Sequence, residues 1–394
     1  MDSDTKEMYE EVLMLLECST QNWLFGAGIS CESNIPLMYR LTELVEEKIA
    51  TSSYNSDFQA IKSQLNKDSH IEHYLSQISD IITLIERTSN TELTIGSANF
   101  SLKVLHELYG EIIKDIGEII RYGYKIDATG HKTVGSINDP FVKIDNHISF
   151  VRALLGICKE RTAHINFFTT NYDTLLEDAL SIERQEVRDG FIGTVIGSWM
   201  PEKSFDFDHY KTNIYNVFKL HGSVDWYKDK SNNIMRCRYG TNYLSDNSNL
   251  LIYPQATKYI ETQKDPFAYL FSSFRNCFKQ STDNVLITNG YSFGDNHINL
   301  EIENAIKQPS NKTSLIIFVK ENKLPDDTYE LSTILKRWID DTTINQRIYI
   351  LTNRGIYNGS KKIALDPLVP ASDEYKWWTF NGMIQSVLLG GVVK

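Results

Sequence analysis

"NWLFGAGISCESNIP", residues 22–36, contains the pattern that decides the fold. An apolar run at 23–25 stops at Gly26-Ala27-Gly28, and polar residues that favour the start of a helix follow. Glycines two residues apart permit φ > 0 and let a ligand approach the backbone closely. A helix beginning just beyond would add its N–H groups and the positive end of its dipole, which suit a diphosphate. The stretch predicts a buried strand leading into a phosphate-binding turn, although an ordinary strand–helix turn explains it equally well.

The dinucleotide fingerprint of dehydrogenases fits this turn only in part. That fingerprint would place a third glycine at position 31 and an acidic residue about twenty residues later, at a strand end. Position 31 is Cys31, and Glu46 and Glu47 fall in a charged helical segment. A hydride-transferring enzyme is therefore the least favoured interpretation.

Composition narrows the class of protein. The 394 residues are 41% hydrophobic and 23% charged, as in ordinary globular proteins, and the formal net charge is −11. A negative balance argues against a broad nucleic-acid surface, which needs clustered Lys and Arg. The N-terminal segment is acidic and amphipathic, unlike a secretory signal, and no apolar run approaches the length of a membrane span. We expect a cytoplasmic protein with no membrane partner and no direct nucleic-acid partner.

The cysteines predict neither disulfides nor a zinc module. No CxxC pair exists in the sequence, so a structural zinc ribbon and a bound metal are not expected. Reduced thiols in a cytoplasm fit this odd and scattered set best. The five cysteines are Cys18, Cys31, Cys158, Cys237 and Cys277.

The pattern of apolar residues changes from helical to strand-like near residue 160. Apolar residues recur at helical spacing before it, which predicts a mostly helical insertion over about 37–160 that packs as core. After it come apolar, β-rich runs that end abruptly in Gly or polar residues, typical of a parallel α/β sheet. These runs are INFFTTNYD (165–173), NVFKLHGSVDW (216–226), NLLIYPQ (249–255), NVLITNGYSFGD (284–295), SLIIFV (314–319) and RIYIL (347–351).

Three further polar clusters fall where predicted strands end. Asn171 and Asp173 follow the 165 strand, where capping of the next helix by one of them is the simpler explanation. His221 follows the next strand and could act as a base near neutral pH, although a lone histidine is more often structural. Gly290 and Gly294 bracket Tyr291 and Ser292 after a later strand, either as a cradle for the second half of a dinucleotide or as a plain turn.

Taken together, the four clusters resemble the motifs of the sirtuin-like superfamily in their order and in their residues. The matching stretches are GAGIS with IP (26–36), TTNYD (169–173), LHGS (220–223) and GYSFGD (290–295). The resemblance implies an α/β fold with a Rossmann-like parallel sheet that binds NAD, with Asn171 and His221 at the nicotinamide ribose. It gives a catalytic domain over 1–305, which contains the helical insertion. Residues 306–394 then form a C-terminal extension with additional strands and an oligomer or partner surface.

The departures from deacylating sirtuins point to one branch of the superfamily. Those enzymes carry a four-cysteine zinc module, a Gln before the catalytic Asn, and PDFR after the first motif. Here Thr170 precedes Asn171, and residues 36–40 read PLMYR. The combination resembles bacterial antiphage proteins that hydrolyse NAD in abortive infection. About 100 residues follow GYSFGD, so the closest resemblance is to the stand-alone subunit that assembles with a HerA-type hexameric ATPase.

The resemblance implies that NAD is a substrate which is consumed. Asn171 would orient the ribose and the attacking water, His221 would be the general base, and Asp173 would hold the local geometry. A protein deacylase and a non-catalytic NAD or ADP-ribose sensor remain as alternatives. The residues expected to bind NAD are Gly26, Ala27, Gly28, Ser30, Pro36, Thr170, Gly222, Ser223, Gly290, Tyr291, Ser292 and Asp295.

Aromatic residues of the C-terminal extension suggest a homo-oligomer that docks the ATPase. Trp338, Trp377, Trp378 and Phe380 are of the kind that anchor interfaces. Ordinary packing against the sheet explains them as well.

Overall fold

The structure is a computed structural model that describes most of the chain. Cys18, Cys158 and the end of the NLLIYPQ run (253–255) lie outside the described residues. The described ranges are 3–17, 20–88, 90–157, 164–205, 214–229, 231, 233–238, 249–252, 265–279, 284–359, 361–365 and 369–390.

A large sheet organises the described part of the chain. Nine of its strands lie in the order β20-β19-β18-β15-β14-β1-β6-β10-β7. The strands from β18 to β7 are parallel, and β19 and β20 extend one edge in antiparallel fashion. The predicted α/β class with a parallel sheet is therefore confirmed. The strands are β1 (Thr20–Phe25), β6 (His164–Thr169), β7 (Val187–Arg188), β10 (Ile214–Lys219), β14 (Asn284–Asn289), β15 (Ser314–Val319), β18 (Ile348–Thr352), β19 (Gly355–Asn358) and β20 (Lys361–Ala364).

Helices cover both faces of this sheet because its strands are apolar on both sides. Trp23 and Phe25 of β1 pack on one face and Leu24 packs on the other. The first face is covered by α1 (Ser3–Leu16), α6 (Asp145–Ile157), α7 (Leu175–Ile182), α12 (Phe380–Met383) and the π-helical turn Ile384–Leu388. The second face is covered by α9 (Phe267–Cys277), α10 (Asn296–Ile306) and α11 (Thr333–Asp340).

Most of the segment predicted as a helical insertion (about 37–160) packs into a third apolar cluster, which we call the helical module (α2–α5). The last helix of that segment, α6, packs on the main sheet instead. Leu75, Ile78 and Ile85 of α4 pack in the module against Leu108, Ile112 and other apolar residues of α5. Small hairpins interrupt the helices. The elements are α2 (Met38–Ile49), α3 (Asn55–Lys62), α4 (Ile71–Thr88), β2 (Glu92–Ile95), β3 (Ala98–Ser101), α5 (Leu102–Tyr122), β4 (Tyr124–Ile126) and β5 (Lys132–Val134).

A second, antiparallel sheet is built from strands that lie before β10 in sequence (β8, β9) and strands that follow His221 (β11, β12, β13). Its described strands have the order β13-β11-β12-β9-β8. The elements are β8 (Phe191–Gly193), β9 (Ile196–Trp199), α8 (Pro201–Ser204), β11 (Gly222–Lys228), β12 (Ile234–Cys237) and β13 (Asn249–Ile252). The run NVFKLHGSVDW is thus two strands, and the break between them falls at His221. A two-residue hairpin elsewhere pairs β16 (Asn322–Lys323) with β17 (Tyr329–Glu330).

A row of asparagine side chains ties four strands of the main sheet together. Asn216 donates to Asn166 (2.8 Å), Asn166 to Asn22 (2.8 Å) and Asn22 to Asn284 (2.7 Å). Asn284 in turn donates to Thr313 at the start of β15 (2.8 Å). Each side-chain amide N–H of the row has an acceptor on the next residue, so the row favours one strand register over any slipped alternative.

The C-terminal aromatic residues lie in the core and not on a free surface. Trp338, Trp377 and Phe380 are at most 2% exposed, and only Trp378 is partly exposed. The interface interpretation of these residues is wrong for the first three, because they pack on the two faces of the sheet. Among the described helices, none has the length and apolar character needed to cross a membrane.

Candidate functional site

A cavity of about 530 Å³ opens at the carboxyl ends of β1, β6, β10 and β14. Ligands of parallel α/β sheets bind at this edge of the sheet, and the volume is that of a small-molecule pocket. The structure brings most of the predicted site residues to its wall. Those that line it are Gly26, Ala27, Gly28, Ser30, Pro36, Thr170, Asn171, Asp173, His221, Gly290, Tyr291, Ser292 and Asp295.

The glycines of the first and last motifs allow two loops to touch through their backbones. The N–H of Gly28 donates to the carbonyl of Gly290 (3.0 Å), and a Cβ on Gly28 would lie 2.6 Å from the Cα of Gly290. A Cβ on Gly26 would lie 2.5 Å from the Gly290 carbonyl oxygen. Gly290 has φ = +67°, a conformation that L side chains rarely adopt. Glycine is therefore needed at positions 26 and 28 so that this turn can contact the loop at Gly290. The same lack of a side chain leaves the backbone open to a ligand.

A 3₁₀ helix follows the first glycine turn, where the sequence predicts the start of an ordinary helix. It spans Ala27–Ser33 and ends at Asn34, whose φ of 63° is left-handed. The Asn34 side chain donates to the carbonyl of Phe141 (2.6 Å), which holds this end against the chain before α6. The tighter turn directs Ser30 toward the end of β6.

Asn171, Ser30 and Asp173 form a buried hydrogen-bonded set. The Asn171 side-chain N–H donates to Ser30 Oγ (3.1 Å), and Ser30 Oγ donates to Asp173 Oδ2 (2.8 Å). The other oxygen of Asp173, Oδ1, accepts from the backbone N–H of Leu175 (3.1 Å) at the start of α7. Asp173 is thus the helix-capping member of the pair, while Asn171 Oδ1 is buried with no hydrogen-bond partner among the described residues.

His221 lies at the end of β10, one strand from Asn171, and faces an acidic residue of the last motif. It is 4% exposed, and its Nε2 is 3.9 Å from Asp295 Oδ1. The His297 ring stacks 5.9 Å from the His221 ring. Donor atoms of His221, Asp295 and His297 lie within 4.8 Å of one another, which makes this histidine–aspartate cluster the group of described residues that could hold a metal ion.

Two of the predicted binding residues lie behind the cavity wall. Gly222 and Ser223 do not line the cavity, and the Ser223 hydroxyl donates to the carbonyl of Tyr172 (3.2 Å). Ser223 is fully buried. Its side chain therefore supports the loop that carries Asn171, which differs from the predicted contact with NAD.

The GYSFGD loop is held by a residue that the sequence analysis missed. Asn299 of α10 accepts from the Tyr291 hydroxyl (3.0 Å) and donates to the carbonyl of Phe293 (2.7 Å). Phe293 has φ = +60°, so these bonds offset a strained backbone. Burial raises the pKa of Tyr291 well above its ordinary value, which keeps the hydroxyl a donor. No sequence motif that we recognise connects Asn299 with the glycine loop at Gly290, so the sequence offered no reason to select it.

The helical module supplies the opposite wall of the cavity. Tyr39 and His70 meet edge to face with ring centroids 6.0 Å apart, and Glu72 lies beside them. Apolar side chains complete this wall. The residues on it that the sequence analysis did not single out are Ile35, Leu37, Met38, Tyr39, Leu41, His70, Glu72 and Ile120.

A buried ion pair lies beneath the site. Lys219, the last residue of β10, donates to the carbonyl of Asp173, and its Nζ is 3.3 Å from Glu177 Oε1. Burial raises the pKa of Glu177, while Lys219 and Arg238 oppose that rise. The Lys219–Glu177 pair thus holds the segment between Asn171 and α7 on the side away from the cavity.

Part of the chain matches a known family model. Residues 165–339 match the family model of the SIR2-like domain, a range that includes Asn171, His221 and the GYSFGD loop. The first glycine motif lies before that range. No curated protein matches the chain.

Two solved structures are similar to the chain at low identity. One is a Phe-to-Ala mutant of a Sir2 homologue in complex with ADP-ribose, 13% identical, covering 82% of this chain and 87% of the other, with a TM-score of 0.33. The second is a complex of a Sir2 homologue with NAD, also 13% identical, covering 78% of this chain and 81% of the other, with a TM-score of 0.38.

Proposed function

We propose that the protein is an NAD⁺ hydrolase that cleaves the bond between nicotinamide and ribose. One observation carries the proposal: Asn171 and His221 reach the same cavity from the ends of neighbouring strands, β6 and β10, next to the two glycine loops. The SIR2-like match over residues 165–339 supports a site of the sirtuin type, and the motif resemblance supports hydrolysis at that site.

The cavity has the volume of a small-molecule pocket, and polar groups of the proposed NAD site reach it. About 530 Å³ falls within the range of small-molecule pockets, and the backbone approaches it closely at the glycine turns. A buried amide oxygen is almost always hydrogen-bonded, so Asn171 Oδ1 requires a donor from the cavity. A ribose hydroxyl or a bound water supplies such a donor.

The chemistry assigns a separate task to each side chain. Water attacks the anomeric carbon, the C–N bond breaks, and nicotinamide leaves as a neutral ring with the bonding electron pair. The water proton passes to His221, so NAD⁺ and water give nicotinamide, ADP-ribose and one proton. Asn171 orients the ribose and the water while positive charge develops on the ribose. Both Asp173 oxygens already accept protein hydrogen bonds, which supports a role in holding the local geometry.

The direct test is incubation of the purified protein with NAD, followed by chromatography for nicotinamide and ADP-ribose. We expect His221→Ala to lower the rate by on the order of 10²–10⁴, the contribution of a general base. His131→Ala is the matched control, because His131 is exposed and lies outside the cavity. Nicotinamide release by His221→Ala at the parent rate would refute the role of His221.

The same assay separates the two alternatives. A deacylase would release nicotinamide only when an acylated peptide is present, and a sensor would bind NAD and return it intact. A wild-type protein that binds NAD without releasing nicotinamide, with or without the partner ATPase, would refute the hydrolase proposal.

We further propose a cytoplasmic role in antiphage defence, as a homo-oligomer that works with a HerA-type ATPase. The support is the motif resemblance alone, because the buried aromatic residues of the C-terminal extension lend none. Light scattering of the protein with and without the ATPase tests this. A monomer whose mass does not change on adding the ATPase would contradict the assembly.

A further inference from the structure

The helical module makes contact with the residue that follows Asn171. The Tyr172 side chain is 8% exposed and packs within the hydrophobic core of the module, together with Leu175 and Val224. Asn171 itself faces the cavity and Ser30. Two adjacent residues of one loop therefore belong to different parts of the molecule, one to the module and one to the site.

A hydrogen bond between buried groups joins the two parts. The Tyr172 hydroxyl donates to Glu72 Oε1 over 2.7 Å, and Glu72 is 5% exposed. Glu72 lies in the first turn of α4, and the backbone N–H of Ile71 before it donates to the Thr42 hydroxyl of α2 (2.9 Å). The backbone that carries Glu72 is thus anchored within the module, while its carboxylate accepts from the loop through Tyr172.

The other end of Tyr172 is held by the second sheet. Its carbonyl accepts from the Val224 N–H (2.9 Å) and from the Ser223 hydroxyl (3.2 Å). With the carbonyl fixed by β11 and the hydroxyl fixed by α4, the backbone at Tyr172 has little freedom to turn. The direction of the Asn171 side chain depends on that backbone.

We infer that Glu72 is a positioning residue, which sets the orientation of Asn171 through its hydrogen bond to the Tyr172 hydroxyl. The inference rests on the proposed function for the meaning of Asn171. Loss of this bond releases one end of Tyr172 and lets Asn171 shift. A displacement of about 1 Å can cost about 100-fold in rate. The glycine loops that contact the substrate are untouched, so the effect falls on kcat and leaves KM nearly unchanged.

Variants of Glu72 and Tyr172 test the inference in the full-length protein. We expect Glu72→Leu and Tyr172→Phe each to lower kcat about 10- to 100-fold, and the double variant to be no worse than the singles. Glu72→Gln keeps an oxygen acceptor and should restore most of kcat. Tyr74→Phe is the matched control, because Tyr74 donates to Glu46 (3.2 Å) within the same module and does not reach the loop.

Hydrogen–deuterium exchange supplies a readout that does not need activity. Amides of residues 169–175 should exchange faster in Glu72→Leu than in wild type, by about 10-fold or more, and should be unchanged in Tyr74→Phe. Unchanged exchange and unchanged kcat in Glu72→Leu would overturn the inference, and so would faster exchange without a fall in kcat.

A fall in kcat without faster exchange would give Glu72 a direct role at the cavity instead, which also overturns it. If the wild type releases no nicotinamide, the proposed function fails. The exchange data then decide by themselves whether Glu72 holds the loop.

Discussion

His147 should make the protein less stable in mild acid. Its ring is fully buried in α6, packs 5.0 Å from the Phe380 ring, and has Nδ1 3.5 Å from Ser33 Oγ. Burial lowers the pKa of His147 from 6.5 to about 4, and the nearby charge of Asp173 opposes this only in part. The folded protein therefore keeps this imidazole neutral at pH values where a free histidine is protonated.

The pH window and the magnitude follow from those two pKa values. Between pH 6.5 and about 4 the unfolded chain binds a proton at His147 that the folded chain does not. The unfolded state binds more protons there, so the free energy of unfolding falls as the pH falls through this window. Each pH unit is worth about 1.4 kcal/mol per proton, which gives a total loss of about 3 kcal/mol by pH 4.

Urea unfolding, followed by tryptophan fluorescence at several pH values between 7.5 and 4.5, measures this loss. Other groups titrate in the same range. Burial raises the pKa of Asp115 to about 6, which acts in the opposite direction. The comparison that isolates His147 is therefore wild type against His147→Phe, whose midpoint should depend less on pH. An identical pH dependence in both proteins would refute the reasoning, and His147→Gln serves if the Phe variant does not fold.

Three further outcomes are expected. Gly28→Ala should weaken NAD binding in calorimetry by about 10-fold or more, because its Cβ would lie 2.6 Å from Gly290. The control Gly110→Ala has open space around the added Cβ and should bind NAD as the wild type does. Asn166→Ala should lower the free energy of unfolding by on the order of 1–3 kcal/mol, since Asn216 Nδ2 loses its acceptor and Asn22 Oδ1 loses its donor; an unchanged urea midpoint would contradict this. A chelator should leave the rate of NAD hydrolysis unchanged, because no proposed step uses a metal; loss of activity that zinc restores would instead assign a metal to the cluster around His221.

The sequence was sufficient to predict most of the main sheet and its edge of polar residues, but the described part of NLLIYPQ, expected in the parallel sheet, is β13 of the antiparallel one. β1, β6, β10 and β14 are largely apolar runs followed within two residues by Gly, Asn or His. Asn171, His221 and Gly290 meet at one cavity because the carboxyl ends of parallel strands share one edge. To predict that these residues meet, it was enough to know that the strands run parallel. The helices predicted between the strands indicate that direction.

The helical wall could not be predicted in the same way. Glu72 begins an amphipathic helix, where a carboxylate is normally an exposed charge, and only the packing of α4 against the loop buries it. Trp338 and Trp377 illustrate the same limit. An aromatic side chain that anchors an interface and one that fills a core look the same in the sequence. The prediction that Trp377 lies at a partner surface was wrong for this reason.

The supports of the Asn171 loop explain why buried charges lie beneath this site. Lys219 is almost fully buried, and burial of an ammonium group is unfavourable unless the charge is paired and hydrogen-bonded. Glu177 at 3.3 Å supplies the pair, and the carbonyl of Asp173 accepts from the same nitrogen. Ser30 holds the opposite side of the loop through Asn171 and Asp173. If the proposed function is right, groups held this firmly need little reorganisation when charge develops at the ribose.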